Sequence, residues 1–527
     1  MTAAINNAGT ATVTMKRKSG KLALRQTFNI RLTVAVILIA VSQLNFGFEI
    51  TAFSLAQAMD AFDRQFGTYK PATKAYVLEP YWLSLFNSLN FISFGIGIIL
   101  GSWVSKRFGR RMCMFSMSIW ALVAATIVVT SRNRDQIMAG RILNYVYIGM
   151  ELAVVPIYQS EIVPAQTRGF IVGTYQVALV GGALIISGIC RGTSTIEGNA
   201  SWRIPLGLFY VVPSLVAASI WFVPESPRWL AMKGRNDEAL VALKKFREGK
   251  FSEEQIDYEF EIIKISAAHH HREKGTFFEQ FRGTNLRRTI IVIAVNFFLQ
   301  ASGQIFTTVY GTVYIKSLGT VNPFNITLAI SLINFTVGIL AMILMEKLGR
   351  RPLLLIGGVI QTISLLVMGG LGTTKPTTYA TDWGVVGMMM FFSVGFSLGW
   401  APIVHSLSAE IPSTPLRDMT YRTGGIVNIV TQFVVSFSLP YMVYAPYANL
   451  GSKVGFIYGA FAILSVIFTF FYVPEVRGRS LEEIDELFTS GIPIHQFSDA
   501  KLTVEIALEE GVKENVLHVE VQEHVNV

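Results

Sequence analysis

Three ionisable residues sit well inside long apolar runs: Glu49 in "LNFGFEITAF", Arg141 in "AGRILNYVYIGM", and Glu151 ten residues further on. A charge buried alone in hydrocarbon costs roughly 3 kcal/mol by insertion scales and more by simulation, so each of the three needs a partner or a task. A carboxylate facing an arginine has two states. Loss of water raises its proton affinity, and the guanidinium lowers it. If a change of shape alters the distance between the two, proton binding changes with it. The chemistry on offer is reversible protonation tied to conformation. The plainer alternative is a static ion pair that only holds helices together.

The elements that must position these groups are membrane spans. The chain has 527 residues, 51% of them hydrophobic and 15% charged, with a mean hydropathy of +0.46. A soluble protein carries about a quarter charged residues, so the surplus apolar surface calls for lipid. Twelve runs of about 18–25 mostly uncharged residues read as helices, near 32–54, 82–105, 112–131, 137–159, 170–190, 204–223, 289–315, 324–345, 353–372, 384–407, 423–445 and 454–473. The expected fold is an all-α membrane protein of two six-helix halves, 32–223 and 289–474. They are flanked by a tail 1–31, a linker 224–288 and an end segment 475–527. "NDEALVALKKF" and "EEQIDYEFEIIKI" in the linker read as amphipathic helices, the first lying over the cytoplasmic gate. No cleavable signal peptide is apparent, and the tail from about 489 reads as disordered.

Twelve is even, so both ends lie on one side. Lys16, Arg17, Lys18, Lys21, Arg25 and Arg31 precede the first span, and the loops after the second and eighth spans are also basic. That bias places termini and linker in the cytoplasm; the expected membrane is the plasma membrane, which the charge pattern does not distinguish from an internal one. The bias also accounts for the charge of +9, which is not a nucleic-acid signal. "NAS" at Asn199 and "NIT" at Asn325 then fall outside as glycosylation sequons. The two cysteines, Cys113 and Cys190, both in apolar runs, exclude a disulfide framework or cysteine metal site. His269–His271 read as solvated. No cofactor, metal or catalytic constellation is expected, and an enzyme is not.

Depth sorts the ionisable groups. Span one runs outward and span four inward, so Glu49 and Arg141 both lie in the outer half, within about a turn of each other. Glu151 lies ~15 Å closer to the cytoplasm. Glu49 and Arg141 are the expected proton-coupling pair.

The chain repeats itself. "RFGRRM" recurs as "KLGRRPL", "SEIVPAQTRG" as "AEIPSTPLRD", and "VPESPRWL" as "VPEVRGRSLEE", each pair about 240–250 residues apart. Two halves of common design, closing in turn over a midplane site, are the expectation for a rocking carrier. Arginines and carboxylates recur together at the cytoplasmic ends: Arg110, Arg111, Glu161, Arg168, Glu225 and Arg228 in one half, Arg350, Arg351, Glu410, Arg417 and Glu475 in the other. They read as a latch between halves when the inner gate is shut, bidentate pairs giving geometry as well as charge. The alternative is that they anchor the cytoplasmic face.

With "GSWVSKRFGRR", "PIYQSEIVPAQTRG", "PESPRWL", "EKLGRRPLL" and "PEVRGRSLEEIDELF" in order, residues 30–490 resemble the sugar porter family of the major facilitator superfamily, in its fungal sugar:proton symporter type. The resemblance implies a neutral, hydroxyl-rich substrate held by amides and an aromatic face. It carries Gln176, Gln300, Asn334 and Asn428 over as amides, Tyr310 and Phe396 as aromatics, and Trp400 beside them as platform or core. It also implies a monomer in the bilayer, with sugar and protons as partners. Proton-coupled members usually have Asp where Glu49 stands. Departures lie at Lys106, Tyr145, Tyr147, Leu299, Ile305, His405 and Ile429, so hexose, pentose, disaccharide, polyol and sugar acid all stay open; His405 suits an acidic substrate or a neutral hydrogen bond. A facilitative uniporter and a non-transporting sugar receptor are the alternatives. Receptors of that type carry long cytoplasmic tails, and the tail here is short.

Overall fold

A computed structural model describes residues 27–71, 74–269, 276–374, 378–479 and 481–497. The basic residues before 27, the side chains of Arg168 and His269, the residues His270 and His271 and the tail beyond 497 lie outside the described residues.

Among the described residues, twelve helices are long and apolar enough to cross a membrane: Ile30–Ala56, Pro80–Phe108, Arg110–Val129, Arg134–Ile162, Thr174–Thr193, Ala200–Phe222, Gly283–Thr308, Pro323–Leu348, Arg350–Leu371, Tyr379–Glu410, Arg417–Val443 and Gly451–Tyr472. They match the twelve apolar runs in order. Side chains such as Ile99, Phe222 and Phe471 stand exposed on them, as a lipid-facing belt requires. The linker forms the helices Pro227–Met232, Asn236–Arg247 and Glu253–His269. Arg247 pins them to the fourth span: its guanidinium pairs with Glu259 at 2.8 Å and donates to the Ile162 carbonyl at 2.9 Å.

Three spans depart from plain helix. The seventh, which reads as one run, is three pieces: Gly283–Ala301, Gln304–Thr308 and Gly311–Leu318. Gly303 sits at the first break with φ +90°, a conformation other residues adopt at a cost. The tenth span carries a π-turn over Phe396–Trp400, just before Pro402, whose ring has no N–H to offer the preceding turn. The sixth, with Pro205 and Pro213, passes through 3₁₀ turns. A two-stranded hairpin, β1 (Thr68–Lys70) and β2 (Ala75–Val77), follows the first span with Thr68 opposite Val77, where no strand was expected.

By contacts the chain divides into two compact units: Met1–Phe53 with Ile92–Arg272, and Ser54–Phe91 with Glu273–Val527. In the first unit, the second and fourth spans touch backbone to backbone. A Cβ on Gly97 would lie 2.2 Å from the Val146 carbonyl oxygen, and one on Gly149 the same distance from that of Phe94. In the second unit, the segment Ser54–Phe91 is tied to the seventh and eleventh spans. Ser54 Oγ donates to the Val309 carbonyl at 2.5 Å, Ser84 Oγ to that of Phe437 at 2.7 Å, and Ser436 Oγ to that of Asn87 at 2.8 Å. Lys316, in the last piece of the seventh span, pairs with Asp60 at 2.8 Å and Asp63 at 2.7 Å.

Burial pushes the Asp63 carboxyl up to about 6, against the opposing pull of Lys316. A carboxyl that holds its proton more tightly when packed than when free is favoured in its packed place by acid. Seating of this segment therefore strengthens as pH falls from neutrality through about 6, levelling off near the free value of 3.8, a gain of up to ~3 kcal/mol. Hydrogen exchange at 60–66 should slow between pH 7.5 and 4.5 once corrected for intrinsic rates, and Asp63→Asn should remove that dependence.

Candidate functional site

The fourth span starts at Asn133, whose side chain accepts from the Gln136 amide at 2.9 Å and caps the helix. From there Arg141, Asn144, Tyr147 and Glu151 recur at about one-turn spacing on one face. The first span runs antiparallel to it and offers Phe53, Asn45, Glu49 and Ser42. The partners run in opposite order along the two helices. Arg141 lies over the Phe53 ring at 3.6 Å and the Tyr145 ring at 5.0 Å. Asn144 Nδ2 donates to Glu49 Oε1, and Arg141 acts on Glu49 through its charge. Asn45 faces Tyr147, and Ser42 faces Glu151. Glu49 and Glu151 are each 1% exposed, Asn45 0% and Asn144 2%. The geometry brings Glu49 and Arg141 together, and adds Asn144, absent from the sequence expectation although one turn from Arg141. An aromatic face beneath a desolvated guanidinium is worth about 2 kcal/mol.

The amides of the second unit form a chain. Gln300 Nε2 donates to Asn428 Oδ1 at 3.3 Å, Asn428 Nδ2 to Asn296 Oδ1 at 3.4 Å, and Asn296 Nδ2 to Ser408 Oγ at 2.8 Å. Asn296 lies one turn before Gln300 on the same face, the signal that could have singled it out. Asn334 accepts from Ser397 Oγ at 2.8 Å, inside the π-turn, beside half-buried Phe396. Tyr310 is buried, its hydroxyl donating to the Ser436 carbonyl at 2.7 Å. Trp400 is fully buried, and its Nε1 has no hydrogen-bond partner among the described residues. Both pack as core. His405 is exposed on the tenth span, and Gln176 is half-buried on the fifth. Leu299 and Ile305, two of the departures from the family pattern, are buried.

The repeated motifs build the same clamp twice. Gly109 and Gly349, at φ +102° and +98°, start the third and ninth spans. In the first clamp Glu225 accepts from the amides of Arg110 and Arg111 at 3.0 and 3.1 Å; in the second Glu475 accepts from those of Arg350 and Arg351 at 3.1 and 3.0 Å. Each carboxylate thus caps a helix N-terminus, satisfying orphan donors at the positive end of the dipole. A Cβ on either glycine would meet the carboxylate, at 2.3 Å from Glu225 Oε2 and 2.4 Å from Glu475 Oε2. Arg110 grips Glu161 through both nitrogens at 2.8 and 2.7 Å, and Arg350 grips Glu410 at 3.2 and 2.9 Å. Each of these pairs closes within its own unit. Arg111 stacks on Trp221 at 5.0 Å and Arg351 on Phe470 at 5.5 Å. Arg417 keeps Nε and Nη2 unpartnered among the described residues. Arg228 is half-buried on the helix Pro227–Met232.

A family model described as sugar (and other) transporter matches residues 35–488. The chain belongs to the sugar porter family of the major facilitator superfamily. This porter is 32% identical over 413 residues to a high glucose sensor of Saccharomyces cerevisiae, covering 76% of this chain but 54% of the sensor, about half its length. It is 27% identical over 478 residues to a high-affinity glucose transporter of Schizosaccharomyces pombe, covering 89% of each. Among solved structures, the xylose transporter of E. coli in an inward open conformation shares the fold, with a TM-score of 0.70 at 21% identity over 86% of this chain and 99% of that one. As a family of multi-pass membrane transporters, sugar porters are not enzymes.

Proposed function

We infer that the protein is a proton-coupled sugar symporter, importing its substrate by alternating access across the plasma membrane, as a monomer with both termini in the cytoplasm. The observation that carries this is Glu49, buried in the first span between Asn144 and the charge of Arg141. Protonated, Glu49 frees Arg141 to its aromatic seat on Phe53. Ionised, it draws Arg141 back. Each swap repacks the first span against the fourth, so proton binding favours one arrangement of the carrier. The amides Gln176, Gln300, Asn334 and Asn428, with Asn296 behind them, take the sugar hydroxyls, and Phe396 offers an apolar face. The two arginine clamps hold each half rigid while it moves, and Arg168 and Arg417 serve at the inner gate.

The test is uptake of labelled D-glucose, D-xylose, maltose and D-galacturonate in cells lacking their own carriers, with and without a protonophore. Symport predicts uptake that the protonophore collapses. Protonophore-insensitive uptake would make the protein a uniporter. No uptake with intact surface expression would favour a sensor, the reading that the likeness to the glucose sensor supports. Within the symport reading, Gln300→Ala should raise KM about tenfold through the loss of one or two hydrogen bonds, with a smaller effect on the maximal rate. An unchanged KM for every panel sugar would remove Gln300 from the site.

A further inference from the structure

Glu151 has no task in the Glu49–Arg141 pair, yet it is buried in the fourth span at 1% exposure. Neither carboxyl oxygen has a hydrogen bond of full geometry among the described residues. The groups facing it are the hydroxyls of Tyr147, on its own helix, and Ser42, on the first span, with Glu49 the charged group within electrostatic reach. Ser42 already donates to the Ile39 carbonyl at 2.8 Å. The second span, packed on the fourth through Gly97 and Gly101, brings no further titratable group to it among the described residues. A carboxyl with no basic partner in so dry a place is tolerated at least cost when it carries a proton.

The geometry points to Glu151 as a second proton-binding site of the transport cycle, joined to Glu49 through the Tyr147 hydroxyl. This inference rests on the symport reading. Tyr147 lies between the two carboxyls in the ladder: it faces Asn45 and Glu151 and feels the charge of Glu49. In the transfer the Glu49 carboxyl leaves Asn144 and swings to the Tyr147 hydroxyl, the O–H bond on Glu49 breaks and its proton goes to the Tyr147 oxygen. The phenol's own proton passes to a Glu151 oxygen, forming the O–H bond there. One proton moves and no other reagent is needed. Glu49 is left as an anion beside Arg141 and Asn144, the groups suited to hold one, and Glu151 is left neutral where no cation faces it. The proton has then advanced along the fourth helix by about two turns, ~10 Å.

The experiment uses the full chain in liposomes carrying a pH-sensitive dye, with the panel sugar carried fastest. Proton entry per sugar is measured for the parent, Glu151→Gln, Tyr147→Phe and Glu49→Gln, with sugar exchange recorded to count working carriers. Glu151→Gln should lower proton entry, normalised to exchange, by at least about tenfold, and Tyr147→Phe should slow it to a similar degree, in the range expected for losing a positioned proton carrier. Parent-like proton entry in both variants, with Glu49→Gln uncoupled, overturns this inference and leaves the symport reading standing. Proton entry unaffected by Glu49→Gln removes Glu49 as the coupling group and the relay with it, whereas sugar uptake by the parent with no proton entry overturns the symport reading itself. Equal loss of exchange and proton entry in both Glu151→Gln and Tyr147→Phe also overturns the inference, because it assigns them a packing role.

Discussion

Glu49→Gln is expected to abolish uphill accumulation. With an inward gradient of about 2 pH units, one proton per sugar permits roughly 100-fold accumulation, since each unit is worth about 1.36 kcal/mol. The glutamine keeps the size of the side chain and still meets Asn144, but it cannot ionise, so it imitates the protonated carboxyl at every pH. The internal-to-external ratio should fall to about one, and the pH dependence of entry between pH 5 and 8 should flatten, with efflux down a gradient less affected. The measurement is steady-state accumulation of labelled sugar at external pH 5 and 7.5. Accumulation equal to the parent's at both values would mean that Glu49 is a structural carboxylate.

The second large effect falls on stability. Arg110 and Glu161 are 9% and 10% exposed and share two hydrogen bonds, while Arg110 Nη1 also donates to the Ser105 carbonyl at 3.1 Å. Glu161→Ala leaves the Arg110 guanidinium buried against the Ser105 carbonyl with no anion bonded to it, since Glu225 holds the Arg110 backbone amide instead. Removing one partner of a buried pair costs about 3–5 kcal/mol, because the survivor keeps its desolvation penalty. The melting temperature in detergent should drop by roughly 3–5 °C. The equivalent Glu410→Ala should cost less, since Arg350 and Glu410 are 16% and 24% exposed and water can recover part of the loss. Replacing both partners, Arg110→Met with Glu161→Leu, should recover much of the deficit. Melting is read by size-exclusion of heated samples. Equal losses at Glu161 and Glu410 would argue against burial as the cause.

The spans were legible because nothing but lipid explains twelve long uncharged runs, and the clamps because their motifs repeat. Helix interruptions were less legible. Gly303 lies in an apolar run whose hydropathy reads straight through it, and only its backbone shows the break. The π-turn at Phe396–Trp400 leaves no sequence mark beyond Pro402. Partners were harder still. Arg110 and Glu161 read as parts of a latch between the halves, but they grip each other on two helices of one unit, a partner choice that a one-dimensional reading cannot weigh. Asn296 and Asn144 escaped notice because a lone amide in a span is as often an interhelical bond as a site; their meaning comes from the neighbours that face them. Tyr145, one of the departures from the family pattern, becomes intelligible once Arg141 is seen above its ring.

The most direct measurement is proton movement itself, in liposomes without any imposed pH gradient. Addition of the transported sugar outside should acidify the lumen, in proportion to the sugar taken up, and Glu49→Gln vesicles should take up sugar with no change in luminal pH. Sugar uptake by the parent with no luminal acidification would contradict proton coupling through the first span.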